Sequence, residues 1–185
     1  PLEAIVSFGE EVHAPAHAGT ETSVNTGGRY GTGDVRIDAV RVFGAADVET
    51  AILEAGKPAR FELDISLVRP DLNERLQIVL AFKRNGVDDV MRVICEQFEF
   101  ATKTASRSTV TATFDAFPLG TGEYKATAMI VAEGYFDRTQ TIYFTINPEV
   151  YCVIADACEI VVESKSQILR GTGVLASARW GILAD

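Results

Sequence analysis

From Asp34 onward the chain alternates apolar and polar residues with a period of two, the signature of half-buried strands. Val35, Ile37, Val40 and Val42 predict a first strand, and the slip of phase at Asp38-Ala39 predicts a bulge in it. After a turn at Gly56-Lys57-Pro58, Phe61, Leu63, Ile65 and Leu67 alternate with Arg60, Glu62, Asp64 and Ser66. Arg69-Pro70-Asp71 ends that strand, because proline has no N–H for the ladder. Leu76, Ile78, Leu80 and Phe82 predict a third strand; Asn85-Gly86 is a hairpin signal, and residues 90–100 return as a fourth. Val110, Ala112, Phe114 and Ala116 alternate with Thr109, Thr111, Thr113 and Asp115. Gly120-Thr121-Gly122 then turns the chain into a hairpin of residues 124–132 and 139–146. No segment has the periodicity of an amphipathic helix. Seven short strands with regularly spaced turns predict an all-β fold, an immunoglobulin-like antiparallel β-sandwich or a jelly roll.

Two regions fall outside this pattern. Residues 1–33 have little periodicity and are rich in Gly and Pro signals, as a linker would be. After Asn147-Pro148, residues 150–162 are apolar on both faces, and the chain then passes Gly171-Thr172-Gly173 to reach Trp180. A seven-stranded sandwich leaves no interior place for this extra C-terminal strand. It is expected at an edge, either of its own sheet or, domain-swapped, of a partner's. Tyr124, two residues after Gly122, sits where Greek-key sandwiches place a tyrosine corner, so its hydroxyl is expected on a nearby backbone group.

Composition narrows the partners. With 185 residues the chain suits one domain plus a tail, and the net charge of −9 argues against nucleic acid and anionic lipid, both of which need a basic surface. The longest apolar run is broken by Asp156 and Glu159, so no membrane-spanning helix is expected. No signal peptide is visible, and Pro1 at the start reads as the edge of a fragment. Three cysteines, Cys95, Cys152 and Cys158, lack framework spacing and are expected as buried thiols in a reducing compartment. Cys152 and Cys158 on one extended strand would lie about 20 Å apart, whereas a disulfide needs Cα atoms about 5.5 Å apart.

Catalytic patterns are missing from the sequence. The only Gly-Lys pair, Gly56-Lys57, precedes Pro58 rather than Ser or Thr, so no phosphate-binding loop is expected. His13 and His17 are separated by Pro15 and have no carboxylate cluster beside them, which argues against a metal site and against a histidine-activated nucleophile. No pair among the 26 acidic residues stands out as a glycosidase pair. No cofactor is expected.

The informative contrast is between sheet faces. The outward positions of the early strands, Arg60, Glu62, Asp64, Thr109, Thr111 and Thr113, make a solvated face. On strands 75–84, 123–132 and 139–146, expected to be neighbours, the outward positions include instead Val79, Ala81, Thr127, Met129, Val131 and Tyr143, and the apolar ones are rimmed by Arg75, Gln77, Lys83 and Lys125. An apolar centre with a polar rim is a binding surface or a covered one. An aromatic ring stacks on a sugar's C–H face and long polar side chains bond its hydroxyls. The candidate carbohydrate-binding residues are therefore Arg75, Gln77, Lys83, Lys125, Thr127, Met129 and Tyr143. The lysines and Arg75 would suit an anionic cap, but cations at a rim are also ordinary surface residues.

Residues Tyr30-Gly31-Thr32-Gly33-Asp34-Val35-Arg36-Ile37 resemble the opening segment of the C-terminal domain of Wzt-type ABC transporter ATP-binding proteins, which export O-antigen polysaccharide. Gly56-Lys57-Pro58, Pro118-Leu119-Gly120-Thr121-Gly122-Glu123-Tyr124 and the closing Gly173 and Trp180 fit the same family, over residues 29–180. The resemblance implies a non-catalytic carbohydrate-binding domain over residues 31–185, preceded by a linker, 1–30, from an upstream nucleotide-binding domain that would carry the ATPase. It implies recognition of the modified non-reducing terminus of an O-polysaccharide, a homodimer formed by exchange of C-terminal strands, contact with the transporter's membrane subunit through the full-length protein, and a place at the cytoplasmic face of the inner membrane. The stretch from Tyr151 to Ile168 is longer than the family pattern predicts.

Overall fold

The computed structural model describes residues 28–72, 75–98, 106–138, 147–164, 174–175 and 179–183. The strands are β1 (Arg29–Tyr30), β2 (Val35–Phe43), β3 (Ile52–Glu54), β4 (Ala59–Leu67), β5 (Leu76–Arg84), β6 (Val87–Phe98), β7 (Arg107–Phe114) and β8 (Gly122–Ala132). A single helical turn, α1 (Tyr135–Arg138), follows, then β9 (Val150–Glu163), β10 (Val174–Leu175) and β11 (Arg179–Leu183). They form two layers. One sheet runs β1-β9-β8-β5-β6-β10, with β3 also paired to β9; the other runs β11-β7-β4-β2. Among the described residues only the β3–β9 and β10–β6 pairings are parallel. The expected antiparallel β-sandwich is therefore the fold.

Period-two alternation builds the core as expected. Val35, Ile37, Phe61, Leu63, Ile65, Val110 and Ala112 from the small sheet meet Leu76, Ile78, Leu80, Phe82, Ala128 and Ile130 from the large one, all at most 1% exposed. The predicted bulge is present as a register shift between Ile37 and Ala39. At one end Phe61, Phe82, Phe114 and Phe117 form a ring cluster with centroids 5.2–6.1 Å apart, mostly edge to face, the arrangement aromatic quadrupoles favour. Asn85 and Gly86 close the β5–β6 hairpin with φ of 50° and 74°, the left-handed pair such a turn requires. The Tyr124 hydroxyl donates to the Gly120 carbonyl at 3.0 Å, as a tyrosine corner should.

One expectation needs correcting. The place beside β8 that was assigned to residues 139–146 is taken by β9; residues 139–146 themselves lie outside the described residues. Nor is β9 a strand at an edge. Its far side is paired by β1 along Val153 and Ile154 and by β3 along residues 161–163. The inner face of β9 packs in the sandwich and part of its outer face is also buried, which explains an apolar run with no alternation. The chain here pairs β9, β10 and β11 within itself.

Gly31 shows how tightly β1 is laid on β9. Its φ is 119°, and a Cβ there would stand 2.6 Å from the Tyr151 carbonyl oxygen, so only glycine fits.

Candidate functional site

The outer face of the large sheet can be followed row by row. Gln77 faces Val131, which faces Val150; Val79 faces Met129, which faces Val153, which faces Tyr30. Ala81 faces Thr127. Lys83 faces Lys125, which faces Glu159, and Glu123 faces Val161, which faces Ile52. The face thus runs from apolar to charged.

Its apolar end is a second core. Val79, Met129, Val131 and Val153 are 0% exposed, and Tyr135 of α1 packs among them at 3%. Phe136 closes the edge, its ring 5.1 Å from that of Tyr135 and beneath the Arg92 guanidinium. Of the two readings of this patch, a contact surface or a covered one, the structure gives the second for its apolar part.

The seven sequence-predicted residues are thereby divided. Met129 lies wholly inside the second core. Gln77 is buried beside it, its Oε1 meeting no hydrogen-bond donor among the described residues. Arg75 is exposed at the far margin, 3.9 Å from Glu133. Lys83 and Lys125 come together at the charged end, half-buried, whereas Thr127 stands one row away opposite Ala81 and outside the pocket lining. Tyr143 lies outside the described residues.

At the charged end the backbone of β9 departs from regular pairing. Three residues, Ala155 to Ala157, stand between the pairings of Ile154 with Ala128 and of Cys158 with Ala126. Asp156, at the apex of this bulge, has a φ of 53°, a conformation aspartate tolerates better than most residues. The bulge re-aims the carboxylate onto two lysines: Oδ1 lies 2.5 Å from Lys83 Nζ and Oδ2 lies 3.7 Å from Lys125 Nζ. Lys125 is shared with Glu159 at 2.6 Å. Oδ1 of Asp156 is buried, with the Lys83 ammonium directly against it.

The electrostatics follow the geometry. The hydrogen bond and charge of Glu159, and then Asp156, hold the Lys125 ammonium above the usual lysine range. Burial, and then the Asp156 charge, push the Tyr30 phenol up while Lys83 pulls it down, so this half-exposed ring stands close to the cluster. Beneath it, burial pushes the Cys158 thiol up to about 12. None of the three cysteines is in a disulfide.

An open pocket of about 820 Å³ occupies this end, its lining including Lys83, Lys125, Asp156, Glu159, Glu123 and Val161. Val161, 39% exposed, gives it an apolar shoulder. Another pocket, of about 710 Å³, lies against Val48 and Ile52, but its charged groups are carboxylates alone, Glu54 and Glu163. On the outer face of the small sheet the polar groups satisfy one another. Arg41 bridges Glu62 and Asp64 at 3.1 and 2.9 Å, the Thr109 hydroxyl donates to Asp64, and Arg60 pairs with Asp47 and Glu62.

Asp156, Glu159 and Tyr30 were not among the predicted site residues. The signal for the first two was in the sequence: two carboxylates inside a run otherwise apolar on both faces. Such residues need a local reason to be there, and the bulge supplies it for Asp156. Among the described residues no group of three or more His, Cys, Asp or Glu is placed to hold a metal ion, and no helix is long and apolar enough to cross a membrane.

The family model of the Wzt C-terminal domain matches residues 27–175. Among solved structures the chain is similar to one described as the crystal structure of the C-terminal domain of wzt. The two share 14% identity and a TM-score of 0.59, over 87% of this chain and 86% of that one. At that identity the likeness concerns the fold. No curated protein sequence matches the chain.

Proposed function

The chain belongs to the Wzt C-terminal domain family, and on that footing we propose that it is a non-catalytic module of an O-antigen ABC transporter which binds the modified non-reducing end of the finished polysaccharide and so licenses its export. The observation that supports this reading is the pocket at the charged end of the large sheet, with Lys83, Lys125, Asp156 and Glu159 beside Tyr30 and Val161. Sugar sites combine acceptors and donors set at fixed spacing with apolar surface for the C–H faces. Asp156 and Glu159 offer carboxylate acceptors, each lysine offers ammonium donors, and bonds to ionised groups are the stronger kind. The strands hold these groups in place, so little ordering is needed on binding.

In this reading, ATP hydrolysis belongs to an upstream domain, and the module acts at the cytoplasmic face of the inner membrane with the transporter's membrane subunit. Homodimerisation by strand exchange is part of the proposal. β11 lies on the β7 edge from Arg179↔Thr113 to Leu183↔Thr109, and a partner's β11 could make the same antiparallel pairs. A purely structural dimerisation domain would use that edge and leave the pocket idle.

The test is retention on immobilised O-polysaccharide from the source bacterium, intact or shortened by an exoglycosidase that removes the terminal residue. The intact polymer is expected to retain the domain and the shortened one to release it. Equal retention on both, or none on either, contradicts terminal recognition. A variant ending before β10 should scatter light as a monomer if strand exchange forms the dimer.

A further inference from the structure

The charges of this pocket also say which kind of sugar it takes. Its lining carries two cations, Lys83 and Lys125, and four carboxylates, Asp88, Glu123, Asp156 and Glu159. Both lysines already face carboxylates, Lys83 on Asp156 at 2.5 Å and Lys125 on Glu159 at 2.6 Å with Asp156 at 3.7 Å. The nearby Arg84 is engaged by Tyr124, its guanidinium 5.4 Å from the ring centroid and donating to the phenol oxygen at 3.3 Å. An anionic substituent entering here would find its cations engaged and would stand against a local excess of negative charge, on a chain of net charge −9. A hydroxyl has no such conflict. It can donate to the exposed Glu159 carboxylate in the lining, and can accept from an ammonium without separating an ion pair. Val161 offers exposed apolar surface at the same place.

Resting on the proposal that this pocket holds the glycan end, we infer that it selects an uncharged, hydroxyl-bearing terminal sugar and discriminates against uronates and phosphorylated sugars. The lysines are donors locked in place by their partners, not anchors for an anion. The carboxylate on the bulge is the discriminating group, since its removal would free Lys83 and take away the weaker of Lys125's two partners.

The experiment is a titration of the isotope-labelled chain, followed by amide shifts, with methyl glycosides of neutral hexoses and with the corresponding uronates and hexose 6-phosphates. A neutral glycoside should shift the amides of residues 83, 125, 156 and 159, with its acidic counterpart weaker by roughly five- to tenfold, the effect of one like charge a few ångströms away at the surface. In Asp156→Asn, which keeps the left-handed backbone accessible, that preference should shrink or reverse. Glu159→Gln should narrow it by less. An acidic glycoside that binds the pocket tighter than its neutral counterpart overturns the charge selection but leaves the glycan site standing. Failure of every glycoside to move these amides overturns both.

Discussion

The two ends of one sheet face have opposite fates. Val79, Met129 and Val153 at one end and Lys83, Lys125 and Glu159 at the other belong to the same strands, β5, β8 and β9, and point the same way. The first group is sealed beneath Tyr135 and Phe136; the second lines an open pocket. The difference lies in what the side chains would lose to water. Leaving four or five large apolar groups exposed forfeits about 1.5–3 kcal/mol for each, so that end acquires a cover. The charged end stays solvated and its groups pair laterally, where each ion pair contributes little to stability. Geometry adds to chemistry, because the bulge at residues 155–157 interrupts β9 between the two ends and turns Asp156 onto the lysines. An apolar stripe on a sheet is therefore a poor guide to a binding surface unless one knows where the chain that follows it goes.

The contrast can be broken most forcefully at the covered end. Met129→Ala should lower stability by about 2–5 kcal/mol in urea denaturation, as in a core. A change within about 0.5 kcal/mol, as at a surface position, would mean the cover is not there. The next effect is expected under the pocket: Tyr124→Phe removes the bond to the Gly120 carbonyl and should reduce stability by about 1 kcal/mol. At the open end Lys83→Ala should change stability by less than about 1 kcal/mol yet weaken polysaccharide binding about tenfold, as loss of a charged hydrogen-bond donor would. Destabilisation as large as that of Met129→Ala would make the two ends alike. The remaining effect is in the pH dependence. The Cys158 thiol titrates near 12 in the fold against an ordinary 9.0. The folded state favours the neutral thiol, so this contribution is complete below pH 9 and is lost as the pH climbs toward 12. The difference in urea midpoint between the native chain and Cys158→Ala should shrink over that interval, and native Cys158 should resist alkylation at pH 8.

Most of the fold was readable from period two alone. Phe61, Leu63 and Ile65 inside with Asp64 and Ser66 toward solvent, the slip at Asp38-Ala39, the Asn85-Gly86 turn and the corner at Tyr124 are each local consequences of a few residues, and each is found as expected. Position within the sheet is not local. Residues 150–162 were apolar on both faces, the pattern of a strand flanked on either side, yet counting seven strands left no interior place for them. β9 takes that place because β1 and β3 are too short to fill the β8 edge and share its far side instead. The site was readable in part for the same reason. Lys83 and Lys125 follow from alternation along β5 and β8. Asp156 reaches them only through three residues opposite one, and no periodicity announces that. Met129 and Gln77 followed the alternation correctly onto the outer face, but the cover over Met129 comes from α1, which has no amphipathic signal of its own.

The central claim is that glycan binding resides at the open end of this face and nowhere else on it. The most direct measurement is the map of amide shifts when an oligosaccharide carrying the natural terminus of the O-polysaccharide is added to the labelled domain. The account predicts shifts at residues 83, 125, 156 and 159 with residues 79 and 153 unmoved, and their loss in Lys83→Ala. Shifts confined to the outer face of the small sheet, around Arg41 and Asp64, would contradict it.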